Sequence, residues 1–163
     1  MFMEKRHSIF LISFFLTLLS CVAISQDKFN ELDEIEVTAT RLDSTLLRSS
    51  RSVSVVGKDE IQNATQLLAM DEVLAGVPGL YMQNRYNFSQ DLRVSLRGFG
   101  ARSAFGIRGI KVIVDGIPET LPDGQAGVDS IDLGSASRIE VIRGPSSSNF
   151  GNASGGVIAI ETE

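Results

Sequence analysis

The second half of this sequence is punctuated in a way that leaves few folds open to it. From Leu80 onward, short apolar runs alternate with stretches rich in Gly, Asn, Ser and Asp. Runs this short, with branched side chains and turn residues at both ends, suit β-strands; a stable helix needs a longer periodic stretch. The expected strands are residues 80–82, 92–96, 111–114, 138–142 and 156–160, and Val53 and Val55 alternate with Ser52 and Ser54 in an earlier one. Asp115-Gly116 after an apolar run is a strong turn signal. Helix signals are few. Residues 58–63 fit one helical turn. Thr65 is placed to cap a helix near 66–75, where Leu67, Leu68, Val73 and Leu74 share a face, Gly76 stands at the C′ position and Pro78-Gly79 prevents continuation. The stretches 84–90, 97–109 and 117–130 are irregular and too long to be filler. The expected class is α+β: a small mixed sheet with short helices and long loops.

The first 25 residues read differently. Lys5 and Arg6 precede an uncharged apolar stretch at 9–19, and Ala23-Ile24-Ser25 places small residues before a cut ahead of Gln26. This is the build of a secretory signal peptide. The same stretch reaches the lower limit for a spanning helix, so a retained anchor is an alternative. A third is open as well, because Leu18-Leu19-Ser20-Cys21 resembles a bacterial lipoprotein cleavage box that would leave Cys21 lipidated. The expected organisation is a leader at 1–25, a polar, flexible segment at 26–51 and a folded domain at 52–163.

What the sequence lacks excludes whole classes of chemistry. The only histidine is His7 and the only cysteine is Cys21, so a chain starting at Gln26 has neither. Histidine-based triads, cysteine nucleophiles, disulfides and nearly all transition-metal sites go with them. Asp115, Asp123, Asp129 and Asp132 match no calcium-loop spacing. The segment from Gly98 to Ser103 lacks the last glycine of a dinucleotide fingerprint, and 144–151 has no Gly-Lys-Ser/Thr ending. No catalytic residue, metal site or cofactor is expected, and the chain is read as something other than an enzyme. The formal charge of −5 is a poor balance for nucleic acid, which is bound by neutralising phosphates.

Four motifs carry a resemblance. In order they are Val77-Pro78-Gly79, then Arg97-Gly98-Phe99-Gly100, then Val114-Asp115-Gly116-Ile117-Pro118. The last is Ile139-Glu140-Val141-Ile142-Arg143-Gly144-Pro145, continuing through Gly151-Asn152-Ala153-Ser154-Gly155-Gly156-Val157-Ile158. Each alone is weak, since glycine-bearing turns are common. Together, in this order, they resemble the plug domain of TonB-dependent outer-membrane receptors.

The resemblance implies a plug that closes the lumen of a roughly 22-stranded barrel, at the outer membrane, gating the uptake of a scarce solute such as a ferric chelate. It implies that Arg97 and Arg143 meet acidic groups on the inner barrel wall, where a guanidinium fork can hold a carboxylate at two points. Asp33, Glu34, Ile35, Glu36, Val37, Thr38 and Ala39 resemble a TonB box, an extended, unpaired segment able to add itself as a strand to the TonB C-terminal domain. Loops at 84–90, about 101–106 and 119–125 would touch the ligand, with Arg85, Tyr86, Arg102 and Gln125 as contact residues. Outward arginines would suit an anionic ligand. The barrel itself is absent from this sequence, which leaves open a fragment, a split receptor, or a free-standing periplasmic module that binds or signals.

Overall fold

The structure, a computed structural model, describes residues 35–38, 44–45, 49–64, 66–87 and 89–163. The expected leader and the cleavage sites near Cys21 and Gln26 lie outside the described residues. Strands β1 (Glu36–Val37) and β2 (Ser44–Thr45) form a small antiparallel ladder. Strand β3 (Ser52–Gly57) runs straight into helix α1 (Lys58–Gln62), and a second short helix, α2 (Met70–Leu74), follows. Strands β4 (Leu80–Gln83) and β5 (Arg93–Leu96) pair antiparallel. Next come β6 (Ile107–Arg108), β7 (Ile110–Val114), β8 (Ile117–Pro118) and β9 (Gln125–Ala126). After a 3-10 turn at Leu133–Ser135, β10 (Ala136–Arg143), helix α3 (Ser147–Phe150) and β11 (Gly156–Thr162) complete the chain.

Five strands form the central sheet in the order β3-β10-β11-β7-β8. The pairing of β11 with β7 is parallel and the other three are antiparallel, so the sheet is mixed, as expected. Alternation along the strands explains its two cores, because successive side chains point to opposite faces. Ile139, Val141, Ile158, Ile160, Ile110 and Val112 share one face, none more than 1% exposed, and join a cluster with Ile61, Leu74, Val94 and Leu96. On the opposite face Ile113, Ile142 and Val157 pack with Phe150 and Ala153. Both faces of the β10–β11 hairpin are therefore buried. Each large aliphatic side chain so placed contributes about 1.5–3 kcal/mol of transfer free energy, which makes this hairpin the rigid centre on which the loops are mounted.

Two tight turns close hairpins through left-handed backbone. Asp115 has φ of 48° and lies between Val114 and Ile117, which face each other across β7 and β8. Arg97 has φ of 51°, and the amides of Leu96 and Phe99 exchange bonds of 2.9 and 3.0 Å across it. Both have the two-residue, doubly left-handed form whose twist matches paired strands.

The second helix differs from the expectation. It covers only 70–74, with Ala69 rather than Thr65 at the cap position, and Thr65 lies outside the described residues. The Glu72 carboxylate accepts the amides of Gln66 (2.8 Å) and Leu67 (3.1 Å), and Leu67 turns left-handed at φ of 54°. A side chain reaching back from inside the helix thus takes the donors that one more helical turn would have used. The 97–109 and 117–130 stretches, read as irregular, also contain the short strands β6, β8 and β9.

Candidate functional site

The registers give the central sheet two distinct ends. At one, Arg143 faces Ser52 on β3 and Gly156 on β11. At the other, Ala136 faces Thr162 and Arg138 faces Gly57. The sequence-selected residues divide between these ends and the loops around β6.

Arg97 and Arg143 come together at the first end. Arg97 Nη2 donates to Ser52 Oγ at 3.3 Å, while Arg143 donates to the carbonyls of Pro78 (3.3 Å) and Val53 (3.4 Å). Burial, and secondly the positive charge of Arg97, lower the Arg143 pKa from its ordinary value. Among the described residues neither arginine has a carboxylate partner. Arg51 adds a third cation nearby, its Nη1 donating to the buried Ser146 Oγ at 2.8 Å. Sequence reasoning missed Arg51, which stands before the first strand and carries no motif; only the fold brings it beside the 143–146 turn.

Of the four loop residues, Gln125 is the one placed against Gly106. A Cβ on Gly106 would lie 3.1 Å from the Ala126 carbonyl, 3.4 Å from Gln125 Nε2 and 3.6 Å from Asp91 Oδ2. Three segments that are distant in sequence therefore converge at one left-handed backbone position, where a side chain would be strained and tight against the Ala126 carbonyl. Gln125 is held there, its Oε1 accepting from Arg108 Nη2 at 3.2 Å. Arg93 Nη2 donates to the Ala101 carbonyl at 2.7 Å and ties β5 to the 101–106 loop. Arg102 is exposed and has no ion-pair partner among the described residues.

Arg85 is not a free outward charge. It is ion-paired with Asp71, a buried carboxylate on α2, and its Cζ lies 5.8 Å from the ring centre of Tyr86. The hydrogen bond to Asp71, and then that residue's charge, raise the Arg85 pKa. Tyr86 is 84% exposed. Arg85 borders a cavity of about 250 Å³ between α2, the 84–92 loop and Asp129.

The 33–39 segment lies at the other end. Asp33, Glu34 and Ala39 are outside the described residues. The rest is extended, as expected, but it is not unpaired. Glu36 and Val37 face Thr45 and Ser44, and Val37 is 0% exposed. The Thr38 amide donates to Glu140 Oε1 at 3.1 Å and its hydroxyl to Glu161 Oε1 at 2.6 Å. A buried valine and two satisfied donors account for the docked state. Near this point Asp115 accepts the amide (2.8 Å) and the hydroxyl (2.7 Å) of Thr162, and these two bonds hold its carboxyl below the ordinary value.

Residues 45–157, well over half of the chain, match the family model described as the TonB-dependent receptor plug domain. The chain belongs to the plug-domain family of TonB-dependent receptors. The plug is 35% identical over 133 residues to the hemin receptor of Yersinia enterocolitica, covering 80% of this chain and 18% of that protein. It is 30% identical over 131 residues to the vitamin B12 transporter BtuB of Vibrio vulnificus, covering 80% of this chain and 20% of that one. In three dimensions it resembles the ferric yersiniabactin uptake receptor FyuA of Yersinia pestis, with a TM-score of 0.57 and 28% identity over 71% of this chain and 17% of that one. The chain thus spans about a fifth of the curated relatives it matches. The plug fold expected from the four motifs is the fold observed.

Proposed function

We propose that this domain is the gate of an outer-membrane receptor that uses energy transmitted through TonB to take up a scarce solute, a ferric chelate or another large ligand. The single observation behind this reading is the placement of two kinds of feature on one rigid sheet. A convergence of three loops around Gly106 lies beside β6, and an extended segment at 35–38 lies at the opposite end of β10 and β11. A gate needs both a surface that senses ligand and a handle that a motor can grip.

The arginine cluster supports the same reading. Arg143 is partly desolvated beside a like charge, an arrangement that costs free energy unless an anion completes it. Carboxylates on a surrounding barrel wall would complete it, with Arg97 and Arg143 holding them at two points each. At the ligand end, Asp71 already neutralises Arg85, so Arg102 and Gln125 are the groups offered to a ligand, with the Tyr86 ring as an apolar face. Strand addition by the 35–38 segment would bind the TonB C-terminal domain mainly through main-chain bonds. Proline cannot donate such a bond. Titration of the chain with a TonB C-terminal domain should therefore show binding that Val37→Pro or Ile35→Pro weakens by tenfold or more, about 1.4 kcal/mol. Equal affinity in those variants would remove the segment from this role.

A further inference from the structure

We infer that Asp71 is a specificity-determining residue of the 84–92 loop. It takes up the Arg85 guanidinium from inside the fold, so this loop meets a ligand with the uncharged ring of Tyr86 and offers no cation to an anionic group. The inference rests on the proposed receptor function and deepens it, by naming the chemistry that one ligand-facing loop accepts: a planar, uncharged group.

Asp71 stands in the first turn of α2 and is 7% exposed. A carboxylate so deeply buried needs a cation or a set of donors to compensate it. Among the described residues Arg85 is the one cation ion-paired with it, through the guanidinium Nε. Glu72, the next residue of the helix, adds a second negative charge acting on Arg85. An anion arriving from outside can claim Arg85 only by stranding Asp71 as an unpaired buried charge, a costly exchange. The loop is shaped to keep the pair. Asn84 has φ of 66°, a left-handed position that asparagine tolerates better than most residues, and the Asn87 amide closes the turn on the Asn84 carbonyl at 3.0 Å. Arg85 and Tyr86 are the two residues inside that turn, so fixing the first fixes where the ring of the second stands.

What the loop still offers is ring and apolar surface. Tyr86 is 84% exposed and has the Arg85 Cζ 5.8 Å from its centre, so one face is occupied by the guanidinium and the other is left for stacking. The exposed Leu68, with Ala69, Arg85 and Tyr86, lines a cavity of about 300 Å³. The neighbouring cavity of about 250 Å³ has Asp91 and Asp129 on its wall and Arg85 as its one cation. With Arg85 cancelled by Asp71, the charge that an approaching group meets there is negative. Anionic groups are disfavoured on this side, and a flat, uncharged one is accepted over Tyr86.

The test uses the full chain with Tyr81→Phe, which leaves Tyr86 as its one tyrosine in a chain without tryptophan. Iodide and caesium, at constant ionic strength, are the anionic and cationic quenchers of its fluorescence. With Asp71 in place, the ratio of iodide to caesium quenching constants should be no higher than that of N-acetyltyrosinamide. Asp71→Asn should raise the ratio about twofold or more, the size expected of one unit charge about 6 Å away in salt water. Adding Arg85→Met should bring the ratio back down, which a merely structural role for Asp71 would not produce; thermal unfolding shows that each variant folds. A ratio above that of N-acetyltyrosinamide with Asp71 in place, or no rise in folded Asp71→Asn, would overturn the role of Asp71 and leave the gate reading standing. No binding of the chain to a TonB C-terminal domain would instead remove the gate reading, and the specificity role with it, while the quenching pattern stayed as expected.

Discussion

Asp115 occupies left-handed backbone, and both of its carboxylate oxygens accept bonds from Thr162. Its folded pKa lies below the unfolded value, so the bonds stabilise the fold above the unfolded pKa, about 3.9 for an aspartate. That contribution is lost as pH falls through the depressed folded value. Asp115→Asn should lower the thermal midpoint near pH 7, and the gap to wild type should close as the pH falls through the depressed folded value; a gap that stays constant with pH would show that charge is not involved. The sequence marked Asp115 only as a turn residue, because its partner stands 47 positions away. Arg85 teaches the same lesson. Its exposure and charge were readable, but its pairing with Asp71 depends on how α2 packs beside the 84–92 loop, and no local pattern encodes that. Arg97 and Arg143 each precede a glycine at a strand end, and the fold brings them to one end of the sheet, Arg97 donating to Ser52 and Arg143 to the carbonyls of Pro78 and Val53.

The elements that were legible are those with enough residues to show a period. Strands β10 and β11 are the longest, and their apolar runs, buried on both faces, are legible as strands although the runs do not say which neighbours they pair with. Ile158→Ala on this hairpin should cost about 2–5 kcal/mol in urea unfolding, the range for emptying a fully buried aliphatic site. The two-residue strands β6, β8 and β9 have no period to read and owe their existence to the loops they close. Helix α2 was overextended because the apolar spacing of 67–74 is helical, yet the Glu72 carboxylate offers the 66–67 amides a better partner. The loop convergence is equally local. Gly106→Ala places a Cβ 3.1 Å from the Ala126 carbonyl on left-handed backbone, and should destabilise by about 1–3 kcal/mol in the same assay. Loss of loop order in that variant should appear as faster hydrogen exchange across 101–108 and 125–126.

At the scale of the molecule, the proposed role is that of a stopper with two working ends. The four motifs pointed to the family because their glycines hold turns of the fold at positive φ, Gly98 and Gly116 among them. What the motifs did not give is the docked state of the 35–38 segment, which depends on two carboxylates more than a hundred residues away. A stopper implies a larger polypeptide or partner around it, and the curated relatives are about five times as long as the portion matched here. The most direct measurement is to fractionate cell envelopes and detect this domain with an antibody raised against it, with and without heating before electrophoresis. The expected result is an outer-membrane species of about four times the mass of 17.6 kDa, migrating faster unheated than heated, as closed barrels do. A soluble periplasmic species of 17.6 kDa or less, with no barrel co-purifying, would contradict the role of a receptor's gate.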